Sequence, residues 1–104
     1  MSGGRPLDAL QQADFVAHLG TLFRLRMPDE AERELVLQEA SLHPHLPPQP
    51  GRRRGFSLVF HSPSPGHLPQ GIYRLEHGVM GTMELFLVPI GPREGGTCYE
   101  AVFN

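Results

Sequence analysis

The chain has a single cysteine, Cys98, so no intrachain disulfide can form. It has no lysine; all nine of its basic residues are arginine. Arginine is encoded mainly by GC-rich codons, so this usage reads as genomic bias before it reads as function. No stretch approaches the ~20 consecutive apolar residues of a membrane-spanning helix. The opening MSGGRPLDALQQADF lacks the apolar run of an export signal. The location expected from this is cytoplasmic, with incorporation into a larger assembly still possible. A net charge of −2 is too small to set up a field that draws in nucleic acid or a membrane surface. At 104 residues the chain is expected to form one domain, with room for one core but not for a large enclosed active site.

Catalytic motifs are also missing. Ser57, Ser62 and Ser64 lie outside any GxSxG elbow. The glycines of GVMG and REGGT do not stand between a strand and a helix, so no phosphate cradle is implied. Cys98 has no oxyanion-type turn beside it and reads as a small, partly buried residue.

What the sequence does contain is alternation with a period of two. TLFRLRM sets Phe23, Leu25 and Met27 against Arg24 and Arg26. ERELVLQEASL puts Leu35 and Leu37 on one side, and GFSLVFH does the same with Phe56, Leu58 and Phe60. GIYRLEH, TMELFLVPI and TCYEAVF bring the strand candidates to six. Leu7, Leu10, Phe15 and Leu19 have helical spacing, which predicts a short helix over about residues 8–19, stopped at Gly20. The expected fold is mainly β: a small antiparallel six-stranded barrel or sandwich with one short N-terminal helix. Residues 1–6 read as a flexible N-terminus and 7–104 as a single β-domain, with proline-rich loops at 43–55 and 62–70.

Within GIYRLEH, Glu76 and His77 are adjacent and so point to opposite faces of a strand, which rules them out as an acid–base pair. Glu84 is expected opposite Arg74 across a hairpin. MELFLVPI is apolar on both faces, Met83, Leu85 and Leu87 on one and Phe86, Val88 and Ile90 on the other. That pattern predicts a central strand covered twice, with the helix as the second cover. Pro89 should end its pairing or lie at an edge.

Three candidate surfaces remain. His43, His45, His61, His67 and His77 are the only candidate metal ligands. Zinc accepts imidazole, but no cysteine pair, HExxH or fixed carboxylate spacing accompanies them, and they read as ordinary loop histidines. Arg52, Arg53 and Arg54 could hold an anion or a nucleic acid, against the acidic balance of the whole chain. The last strand, with Tyr99, Val102 and Phe103, could offer an edge to another chain, including a second copy of this one.

The order DFVAHLG, FSLVF, LPQGIYRLEH, MELFLVPIGP and terminal YEAVFN resembles a family of small bacterial domains of unknown function, over about residues 7–104. The resemblance implies bacterial origin, a mainly β fold and a glycine-bounded turn at residues 78–81. It also implies genes lying near phage-tail-collar-like proteins, and it brings no catalytic residues. The function expected is a non-catalytic protein-interaction or structural β-domain, an accessory part of a phage-tail-like or surface-fibre system. It needs no cofactor, and its partner is a protein rather than a membrane or a nucleic acid.

Overall fold

The period of two becomes six strands whose inward sets match the apolar positions. The computed structural model describes residues 9–29, 31–43, 54–64, 66 and 68–104. The expected loose end at 1–6 and most of the loop at 43–55 lie outside the described residues. In chain order the elements are α1 (Gln12–Val16), β1 (Leu22–Arg26), β2 (Glu32–Leu42), β3 (Phe56–Ser62), β4 (Gly71–His77), β5 (Gly81–Arg93) and β6 (Gly96–Phe103). β2 coincides with ERELVLQEASL residue for residue.

The strands close into a barrel in the order β1-β2-β3-β6-β5-β4, with every pair antiparallel. Closure comes from β1 against β4, where Leu25 faces Leu75 between the pairs Arg24–Glu76 and Arg26–Arg74. A closed sheet buries one set of alternating side chains and leaves the other in water. Phe23, Leu25, Leu35, Leu37, Phe56, Leu58, Phe60, Leu75, Leu85 and Leu87 all fall on the buried set. Each such side chain stabilises the fold by roughly 1.5–3 kcal/mol relative to exposure.

β5 does not end at Pro89. It pairs with β4 from Gly81 to Leu87, then turns to β6 from Val88 to Arg93, with a register shift between Pro89 and Gly91. A bulge tolerates a proline and bends the strand, so Pro89 marks a change of partner. β2 carries a second register shift between Leu37 and Glu39.

The two mouths of the barrel are plugged differently. At one, Phe15 of α1 packs on Phe56 and Phe103, with ring centroids 5.8 and 5.6 Å away, and those two rings stack at 4.5 Å. The helix stops before Gly20, at Val16 with Ala17 as its cap; Gly20 takes a left-handed conformation (φ 81°) in the turn that follows, and its N–H donates to the Leu37 carbonyl at 2.7 Å. At the other mouth Leu68 is buried, its N–H donating to the Tyr99 hydroxyl at 2.8 Å. Tyr73 ties down the same loop by donating its hydroxyl to the Pro69 carbonyl at 2.6 Å.

Three expectations are corrected. The helix runs over five residues, not twelve. At 1.5 Å per residue it is too short to cover a sheet face, so it plugs an end instead. The second face of MELFLVPI is therefore bare, and Phe86 and Ile90 are exposed. Nor is β6 an edge: it is hydrogen-bonded to β3 on one side and β5 on the other. Pairing a second chain onto β6 as an edge strand is closed off by the barrel itself.

Candidate functional site

Among the described residues, the candidate histidines His43, His61 and His77 are each hydrogen-bonded within the protein. His43 Nε2 lies 2.7 Å from Ser57 Oγ. His61 Nε2 lies 2.7 Å from the Arg93 carbonyl, which can only accept, so that nitrogen carries the hydrogen. His45 and His67 lie outside the described residues. Among the described residues, no group of three or more His, Cys, Asp or Glu is arranged to hold a metal.

His77 is the most constrained of them. Its Nδ1 accepts the N–H groups of Val79 at 3.0 Å and Met80 at 3.1 Å, so Nδ1 carries no proton. Nε2 then holds the hydrogen and donates to Thr21 Oγ1 at 3.0 Å. Thr21 Oγ1 in turn donates to the His18 carbonyl at 2.6 Å. The ring packs between His18 and Phe23, with centroids at 4.6 and 4.4 Å. Burial, and then the neighbouring His18, hold its pKa below the ordinary 6.5. Alternation puts His77 on the face of β4 opposite Glu76, and the structure packs its ring against Phe23. Sequence reading missed His18 and Thr21, which only the fold brings to the end of that strand.

Cys98 is buried on the outer side of β6. Its Sγ lies 3.9 Å from Gln38 Oε1, which also accepts from Arg93 Nη1 at 3.0 Å. His61 is opposite Cys98 in the β3–β6 register. Its Nε2–H is spent on Arg93, and nothing in the arrangement readies the thiol for attack.

Of the partner-binding candidates, Arg52 and Arg53 lie outside the described residues, and Arg54 is exposed ahead of β3. Tyr99 and Phe103 are buried, the first as the acceptor for Leu68 and the second in the aromatic plug. They alternate with Glu100 and Val102, so the period-two rule used on the other strands would have placed them inside. Val102 is on the surface, where it joins a row that sequence reading had assigned to cover.

That row is the most distinctive surface of the barrel. Ile72 is directly opposite Phe86 in the β4–β5 register. Val102 is on the same outer side of β6 as Glu100, which pairs with Val88 of β5. Ile72, Phe86, Val102 and Ile90 are 70%, 52%, 55% and 48% exposed. Beside Ile72 lies an open depression of about 550 Å³, lined also by Arg26, Arg74, Glu76 and Glu84. Its ion pairs run from Arg26 to Glu32 and to Glu76, both at 3.3 Å, and from Arg74 to Glu76 at 3.9 Å. Glu84 is opposite Arg74 in register, as expected, and Arg74 forms an ion pair with Glu76 on its own strand. Exposed pairs of this kind are worth about 0–1 kcal/mol each.

A family model for a domain of unknown function, DUF6916, matches residues 10–103. No curated protein and no solved structure matches the chain. The matched span takes in the whole barrel and its helix, and the chain belongs to the DUF6916 family.

Proposed function

We propose that this domain is a non-catalytic protein-interaction module, and that it binds its partner through the outer side of β4, β5 and β6. The supporting observation is the set of exposed apolar residues Ile72, Phe86, Ile90 and Val102 on that side, with Ile72 directly opposite Phe86. Single exposed apolar residues need no explanation, but a set across neighbouring strands marks a contact surface. An aromatic in such a set is the usual anchor, and the charged depression beside Ile72 would make a polar rim. The role that fits this surface, together with the genomic association the resemblance implies, is accessory: a β-domain docked on a larger phage-tail-like or surface-fibre assembly.

The test is capture from a lysate of the native host with the wild-type domain and with Ile72→Glu/Phe86→Glu. Circular dichroism and thermal melting establish that the variant is folded. A stoichiometric protein held by the wild type and lost by the variant supports the proposal. The same protein held equally by both, or a wild type that stays monomeric and captures nothing, contradicts it.

A further inference from the structure

The end of β4 carries a second device, independent of the apolar row. Between α1 and the β4–β5 turn lies a cavity of about 270 Å³, lined by Leu10, Ala13, Asp14, His18, Val79 and Met80 among others. Val79 and Met80 form its wall on the turn side. Their backbone N–H groups are the ones that His77 Nδ1 accepts. The same ring reaches the tail of the helix through Thr21 Oγ1 and the His18 carbonyl. One imidazole therefore ties both walls of the cavity together.

We propose that His77 is a proton-operated latch, closed while its Nδ1 is unprotonated and opened when that nitrogen takes a proton. A proton on Nδ1 would turn an acceptor into a donor facing two N–H groups, so both hydrogen bonds would be lost. The positive charge would sit against the His18 ring, 4.6 Å away. The other groups facing His77 do not offset this. β1 contributes Phe23 and the segment just before it Thr21, neither of which titrates in this range, and the turn contributes Val79 and Met80. The carboxylate lining the cavity is Asp14, whose Oδ2 accepts the Gln11 N–H at 2.8 Å at the start of α1. Glu76 lies on the opposite side of β4, paired with Arg26 and Arg74. Burial and His18 hold the His77 pKa below 6.5, which keeps it neutral at neutral pH, and it takes the proton as the solution is acidified below that value. Phe15 keeps its seat on Phe56 and Phe103 throughout. Nε2–H still donates to Thr21 after Nδ1 is protonated, so the segment at 17–21 stays held and only the turn at 78–80 is released, which opens the cavity on the turn side and leaves the barrel intact.

Hydrogen exchange at single-residue resolution, at pH 7.5 and about pH 5 and corrected for the intrinsic rate, tests this. In the wild type, protection of the Val79 and Met80 amides should fall at least about tenfold at the lower pH, while amides of β3 and β6 hold theirs. His77→Gln supplies an oxygen acceptor for the turn and an N–H donor for Thr21 without a titrating group. It should keep the turn protected at both pH values. Equal protection at both pH values in the wild type would overturn the latch, as would the same pH response in His77→Gln. So would joint loss of turn and core protection. If His77→Gln fails to close the turn at pH 7.5, the wild type's own imidazole titration decides. Loss of Val79 and Met80 protection must track the His77 imidazole, and loss that does not follow it would overturn the latch.

Discussion

On the wall of the barrel made by β2, β1 and the end of β4, the outward residues read Glu34, Arg24, Glu76 in one row and Glu32, Arg26, Arg74 in the next. On the wall made by the start of β4, β5 and the end of β6 they include Ile72, Phe86 and Val102. The inward residues behind both walls are the same kind, buried leucines, phenylalanines and a methionine. The fold needs only the inward set, so the outward chemistry is free to differ. The charged wall is largely self-satisfied, with Arg26 bridging Glu32 and Glu76. The residues of the apolar wall are exposed instead, and the proposed interaction rests on that asymmetry.

The contrast can be broken most severely at the scaffold of the apolar wall. A Cβ on Gly96, at the start of β6, would lie 1.7 Å from the Ser62 carbonyl oxygen, a backbone atom that cannot step aside. Gly96→Ala is expected to cost more than about 4 kcal/mol, measured by denaturant unfolding. Next comes pH, entering at the end of β4, the strand that carries residues of both walls. His77 has its folded pKa depressed below 6.5, so the unfolded chain takes up its proton first. Stability from this group is complete above pH 6.5, declines as pH falls, and levels off once the folded form also titrates. Unfolding at a series of pH values should show this decline in the wild type and a shallower one in His77→Gln. On the charged wall, Arg26→Gln should cost about 0.5–1 kcal/mol, shrinking as salt is raised. The smallest effect belongs to the apolar wall: Ile72→Gln/Phe86→Gln should leave stability within about 0.5 kcal/mol and independent of salt. A large loss there would mean that the row serves the fold.

Much of the barrel was legible because alternation marks strands directly. ERELVLQEASL gave β2 its bounds, and Phe56, Leu58 and Phe60 gave β3 its inner face. Closure was not legible, since β1 meets β4 across about fifty residues of sequence and only three pairs. Alternation also cannot say whether a second apolar face is covered or bare. Phe86 and Ile90 were therefore placed under a helix that proved too short to reach them. As the last strand, CYEAVF reads as a possible edge, and alternation cannot show that the barrel gives β6 a neighbour on each side. The histidines were legible as residues and not as a site. What makes His77 special is supplied by residues 18–21 and 79–80, brought to one end of β4 by folding.

The most direct test sets the two walls against each other in the native host. A photo-reactive residue is placed at Phe86 on the apolar wall or at Glu34 on the charged wall, and the cells are irradiated. The account predicts a covalent adduct of defined mass from position 86 and none from position 34. Adducts of equal yield from both positions, or an adduct from position 34 alone, would contradict it.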